Sequence, residues 1–284
     1  MTPTDYTPPV SKLISLGDVR GREELDYLAL GLGPDHVPEL CRMVLDKDLW
    51  WADSESVEVW SAIHAWRALA QIGSPDAIES LLEVLGRIDE YNDDWTMEEL
   101  PDVFAAIGPV ALPPLTDFLA DREQGLWSRV TCVACFEKMA EAHPETRQEC
   151  TDTITRQLKR FERQDETLNG FLISTLIDLK AVEVAPLMQR AFEANRVDIS
   201  VAGDWEEVQV EMGLLEKRTT PMPGFFPALP ASGTPATGTA SKSTKTSRSE
   251  KSSITPDRRT EQRRKAKAKK KRKQQKRSRR KQRK

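Results

Sequence analysis

The stretch from Trp60 to Leu85, WSAIHAWRALAQIGSPDAIESLLEVL, constrains the fold of this chain more than any other feature. In its first half Trp60, Ile63, Trp66, Leu69 and Ile72 recur at helical spacing after Val57. They place apolar groups on most sides, so this helix must be covered by neighbours on several faces. Gly73 can adopt the left-handed conformation that ends a helix. Ser74 supplies an N-terminal cap, and Pro75 suits the first position of the next helix. Ile78, Leu81, Leu82, Leu85 and Ile88 then mark a second helix. The unit is a helix–turn–helix.

The same phrase recurs along the chain. Leu28 to Leu45 has its turn at Gly33-Pro34-Asp35, and Phe104 to Asp121 at Gly108-Pro109. Leu176 to Glu193 keeps the apolar positions Val184, Leu187, Met188 and Ala191 but lacks the glycine. A looser copy runs from Phe136 to Ile154. With Leu32, Ile72, Ile107, Met139 and Leu179 as anchors, the spacings are 40, 35, 32 and 40 residues. Two helices per unit at such a period predict an all-α fold, an α-solenoid of about five helix pairs. The segment RALAQIGSPDAIESLLEVL resembles the HEAT-like repeats of bacteria, including the subgroup named after phycobilisome lyases. That likeness spans roughly residues 23–195. The layout ending in VDISVAGDWEEVQVEMGLLEK is also similar to a bacterial family of HEAT-like proteins. The resemblance implies architecture and assigns no catalytic residue.

Charge divides the chain. Residues 241–284 hold 22 Lys/Arg against Glu250, Asp257 and Glu261, a net of +19, whereas residues 1–240 hold 20 Lys/Arg and 42 Asp/Glu, a net of −22. The overall net of −3 is a cancellation. The expected organisation is a lead-in over residues 1–22, a repeat body over 23–218, a disordered linker over 219–257 and a basic tail over 258–284. Within the body, Val197 to Glu216 reads as an extended piece and then an acidic segment. There Val208, Val210, Met212, Leu214 and Leu215 cap the last apolar face. With no basic start leading into an apolar run, and no stretch of about 20 apolar residues, neither a signal peptide nor a membrane span is expected. Cys41, Cys132, Cys135 and Cys150 lie in apolar helical patterns, which suits packed thiols in a reducing, cytoplasmic setting.

Signals for catalysis are weak. Cys132-x-x-Cys135 falls in mid-helix with no second CxxC, so it reads as packing rather than redox or zinc chemistry. His36, His64 and His143 are scattered over three repeats, and His64 beside Trp66 reads as a packed imidazole. Neither a nucleophile elbow nor a phosphate-cradling glycine loop is present. No cofactor is expected. The acidic run Asp89, Glu90, Asp93, Asp94, Glu98, Glu99 lacks calcium-loop spacing and reads as a solvated loop, as do Asp204, Glu206 and Glu207 around Trp205.

Tryptophan is more informative. Trp60, Trp66 and Trp127 fall in first helices and read as core. Trp50, Trp51 and Trp95 lie between repeats, the last beside Asp93 and Asp94. Aromatics in such places either anchor a protein partner or cover seams between repeats, and both readings stand for these five residues. The tail is the strongest functional signal. From Arg258 to Lys284, 18 of 27 residues are Lys or Arg, among them Arg263, Arg264, Lys265, Lys267, Lys269, Lys270, Lys271, Arg272, Lys273, Lys276, Arg277, Arg279, Arg280 and Lys281. Without aromatics it can grip phosphates but cannot stack on bases, and without an apolar face it does not insert into a bilayer. The expectation is a non-enzymatic scaffold: the solenoid surface meets a protein partner while the tail holds a polyanion such as RNA, the ribosome or another anionic surface. The alternative is a chromophore-handling protein like the phycobilin lyases, which rests on fold analogy.

Overall fold

The computed structural model describes residues 6–21, 25–53, 55–91 and 93–221. The chain divides into two units, Met1–Arg218 and Thr219–Lys284, and the fold that follows is that of the first. The basic tail and nearly all of the linker expected before it lie outside the described residues.

Helices α1 (Val37–Leu45) and α2 (Lys47–Trp50) come first. Four helix pairs follow: α3 (Ser61–Ile72) with α4 (Ile78–Gly86), then after the single turn α5 (Ile88–Tyr91), α6 (Asp94–Ile107) with α7 (Leu112–Ala120), α8 (Leu126–Ala142) with α9 (Arg147–Leu158), and α10 (Glu166–Asp178) with α11 (Ala185–Glu193). The short helices α12 (Ile199–Ala202) and α13 (Trp205–Glu211) close the series. Among the described residues there is no strand, and the fold is the all-α solenoid that the repeat predicts.

First helices pack side by side, α3 on α6, α6 on α8 and α8 on α10, and this row forms the middle of the body. Their composition requires it. In α8, buried residues run almost without interruption from Ser128 to Phe136, so neighbours must cover it all round. Second helices such as α1 and α11 are one-faced, with Leu40, Met43 and Val44 or Met188 and Ala191 turned inward. No single helix among the described residues is long and apolar enough to cross a membrane.

Five turns within repeats start the second helices in one way, with a single 3-10 turn: Pro34–His36, Pro75–Ala77, Pro109–Ala111, Pro144–Thr146 and Val182–Val184. Proline opens four of them, where its missing N–H costs nothing. Gly73 takes the left-handed conformation (φ 68°, ψ 26°) and Ser74 caps the next turn through Asp76 N–H, as the sequence predicts. Of the two repeats whose turns lack glycine, the last has Lys180 at φ 52°, while the other turns through His143 at φ −127°. The 3-10 turn survives the loss of glycine in both.

The first unit differs from its successors. A helix is not found before α1: Val10–Ser15 forms a 3-10 helix that packs on α3, and residues 27–31 form turns. Gly17, Gly21 and Gly31 all have positive φ, a conformation that no helix accommodates. The described part of the lead-in belongs to the core. Val10 and Leu13 are buried, Arg42 lies over the Tyr6 ring at 4.3 Å, and the Tyr6 hydroxyl donates to Asp46 at 2.7 Å. The other end also departs from expectation. Residues 199–202, where the chain was expected to be extended, are helical, and the acidic segment that follows forms a helix over 205–211; Asp198 and Asp204 cap α12 and α13. Val208 is buried and Met212 packs on the core, whereas Leu214 is exposed.

Candidate functional site

The helix pairs place turns within repeats next to one another along one edge, Gly73 beside Ala106 O and Gly108 beside His143, and loops between repeats along the other. Each loop between repeats touches the next element along its edge. Trp50 and Trp51 in the first such connection stack on Tyr91 in the second, with ring centroids 5.7 and 5.3 Å apart. Asp89, beside Tyr91, accepts hydrogen bonds from Trp127 N–H (3.0 Å), Ser128 N–H (2.8 Å) and the Ser128 hydroxyl (2.9 Å). It therefore caps a helix that begins almost 40 residues later. Arg122 reaches the carbonyl of Arg163 at 3.5 Å, and Arg196 donates to Gln164 O at 2.7 Å and to Glu166 at 2.8 Å.

The expected aromatic site separates into distinct roles. Trp50 donates its indole N–H to Val44 O at 2.7 Å and lies 6.1 Å from the buried Trp66 ring, so it covers a seam. Trp95 packs edge-on to Trp60 at 5.5 Å, and Arg20 lies over the Trp60 ring, 5.5 Å from its centroid. Trp60 and Trp127 are half-buried at helix starts, while Trp66 is fully enclosed. Trp51 alone of these is 69% exposed, with Val57, another exposed apolar residue, in the same loop.

The carboxylates are mostly engaged, which corrects the reading of two solvated acidic loops. Asp93 caps α6 through Trp95 N–H and Thr96 N–H. Glu99 accepts from the Trp66 indole at 2.9 Å and from both Nε (2.9 Å) and Nη2 (2.6 Å) of Arg67. Asp94 is half-buried at the first position of α6. Near the C-terminal end Asp204 holds Arg218 through two bonds of 2.6 and 2.7 Å and accepts Glu207 N–H, and Glu206 stands 3.5 Å from the same guanidinium. The Arg218 guanidinium holds the Asp204 carboxyl below the usual range. Such pairings join residues far apart in sequence, and local pattern carries no sign of them.

Residues with catalytic potential are occupied. His64 is fully buried, with Nε2 2.8 Å from Gly17 O and Nδ1 2.7 Å from the Tyr27 hydroxyl. A carbonyl only accepts, so Nε2 carries a proton and donates. The thiols of Cys132 and Cys135 donate to Leu115 O and Thr131 O, both at 3.3 Å, and burial pushes both pKa values up. A buried neutral thiol is a poor nucleophile. His143 Nε2 lies 2.9 Å from Ala105 O, across the edge that holds the turns. Among the described residues no His, Cys, Asp or Glu groups gather as a metal would require. An open groove of about 560 Å³ lies between α9 and α11, lined by Thr151, Asp152, Thr155, Lys159, Glu183 and Arg190 among others.

A stack of two-helix units of this kind defines the chain as a helical repeat scaffold. Residues 64–87, covering most of α3 and all of α4, match the family model described as PBS lyase HEAT-like repeat. In particular, then, this is a HEAT-like repeat protein, and repeats of that kind typically mediate protein contacts. No curated protein and no solved structure matches the chain.

Proposed function

We propose that this protein is a non-enzymatic interaction scaffold that docks a protein partner on the edge between repeats, around Trp51, while its tail holds a polyanion such as RNA or the ribosome in the cytoplasm. One observation carries the docking reading: Trp51 is exposed, yet its N–H is held by Lys47 O and its ring meets Tyr91, which packs on Trp50 beside the buried Trp66. A rigid, exposed indole loses little entropy on binding and offers a large apolar face, the usual character of an interface anchor. Trp50 supports that anchor through the shared Tyr91 ring, whereas Trp95 packs on Trp60 and Asp93 caps the start of α6 that Asp94 opens. The tail reading rests on its charge of +19 in residues 241–284. Affinity capture tests both parts, using the full chain, a Trp51→Ala variant and a chain ending at residue 240, each at two salt concentrations. Loss of RNA with the tail, steep in salt because counterions are released, together with loss of a protein partner in Trp51→Ala, is the expected pattern. Identical captures from all three would refute the proposal.

The description of the matched repeat favours a second reading, in which the stack holds a bilin and presents it to a protein. Mixing the protein with free bilin and recording the absorbance separates the two. A red-shifted, intensified band supports this reading, and an unchanged spectrum supports the scaffold.

A further inference from the structure

The exposed end of the aromatic cluster stands in strongly acidic surroundings. Two single-turn helices meet there through their rings. Trp51, just after α2, lies 5.3 Å from Tyr91 at the end of α5, and Trp50 lies 5.7 Å from the same ring. Trp51 N–H donates to Lys47 O at 3.0 Å and Tyr91 N–H to Arg87 O at 2.9 Å, so both rings stand on closed turns. Arg87 ties the two connections together, donating to Leu45 O at 3.2 Å and to Glu83 at 2.5 Å. Over residues 46–58 and 87–94 there are nine carboxylates and two cations, Lys47 and Arg87, a net of −7. The later connections over 121–125 and 159–165 are close to neutral, at −1 and +1. Asp48, one turn before Trp51, and Glu90, next to Tyr91, are both exposed.

Elsewhere the body supplies aromatic rings with its own cations. Arg20 lies over Trp60 at 5.5 Å, Arg42 over Tyr6 at 4.3 Å and Arg190 over Phe161 at 5.9 Å. Among the described residues no cation lies over Trp51 or Tyr91, although Trp51 is the most exposed large apolar side chain of all. The neighbouring guanidinium of Arg87 is already held by Glu83 and Leu45 O. A purely apolar occupant would strip water from the surrounding carboxylates and leave them without a counter-charge. A polyanion would be repelled. An arginine satisfies both demands. Its weakly hydrated plane stacks on an indole face, and its fork of donors pairs with a carboxylate. A lysine ammonium brings the charge but neither the plane nor the fork.

We infer that the edge around Trp51 takes an arginine side chain from a basic segment of the partner protein, the guanidinium stacked on the indole and paired with Asp48 or Glu90. This rests on the docking reading at Trp51 and adds the chemistry of the occupant. The test uses the full chain at constant ionic strength and four blocked ten-residue glycine–serine peptides. Their two central residues are arginine, lysine, citrulline or norleucine. The NMR signal of the Trp51 indole N–H, assigned with Trp51→Leu, reports where a peptide sits, and the anisotropy of a dye on the peptide gives its affinity. The arginine peptide should shift that indole saturably and bind more tightly than the lysine peptide. Citrulline, which keeps the shape without the charge, should leave it unmoved. Trp51→Leu should weaken arginine-peptide binding about two- to fivefold, the worth of an exposed cation–ring contact. Asp48→Asn/Glu90→Gln should weaken it about threefold with the melting temperature unchanged, since neither carboxylate bonds another described residue. An unmoved indole, equal affinity for the arginine and lysine or arginine and citrulline peptides, or norleucine binding as tight as arginine would each overturn the inference. The last result would name an apolar occupant. Should the inference fall while capture of a protein partner still depends on Trp51, the docking reading itself stands, so the two failures are distinct.

Discussion

The two edges of the stack obey different rules. On the edge of turns within repeats, one device is used five times, a single 3-10 turn that leads straight into the second helix. Apart from His143, which reaches Ala105 O, side chains there mainly close the turn, and the glycine of the Gly73 turn has a counterpart in Lys180. On the edge of loops between repeats no solution is repeated. Aromatic stacking joins the early connections, a carboxylate cap crosses to α8, and arginines dominate the later ones. Conformational rules govern the first edge and side-chain chemistry the second. A recognition surface needs variety, so the proposed functions fall on the second edge.

Substitutions can break or sharpen this contrast. The largest effect is expected where the backbone is most unusual. Gly108 has φ 98° and ψ −171°, a region essentially closed to side chains. Gly108→Ala should therefore cost about 2–3 kcal/mol, read by denaturant unfolding, although its added methyl meets only ordinary contacts with His143 at 3.8 Å. A change near zero would show that backbone conformation does not limit that edge. Next comes Asp89→Ala, which removes three hydrogen bonds to the start of α8. The expected loss is about 1–2 kcal/mol, with amide exchange quickened at Trp127 and Ser128. Unaltered protection at those amides would deny the long-range cap.

Smaller effects run the other way or vanish. Lys180→Gly should stabilise the body by about 0.5–1 kcal/mol, since glycine relieves the left-handed strain at the cost of a more flexible unfolded chain. A lower melting temperature in that variant would contradict the account of the turn. Trp51→Ala should cost only about 0.5 kcal/mol, the edge contact with Tyr91, yet abolish partner capture. A large stability loss with capture intact would make Trp51 another seam cover.

Much of the fold was legible because its rules are local. Gly73, Ser74 and Pro75 announce a turn within three residues, and the apolar anchors announce a period. The helical character of α12 and α13 was not legible, since the one-turn helices depend on Asp198 and Asp204 as caps within a segment too short to show a period. Carboxylate roles were hidden for a different reason. Asp89, Glu99 and Asp204 find partners 14 to almost 40 residues away, so in sequence they look like solvated charge. Tyr91 was equally silent: in RIDEY it reads as a lone ring among charges, and only its contacts with Trp50 and Trp51 give it meaning.

The seams themselves recur with the repeats. Arg67 to Glu99, Asp89 to Ser128, His143 to Ala105 and Arg196 to Glu166 each fasten one unit to the next. An interior unit is thus gripped from two sides and a terminal unit from one. Warming should fray the array inward from its ends, with the amides of α6 and α8 surrendering their protons to solvent last.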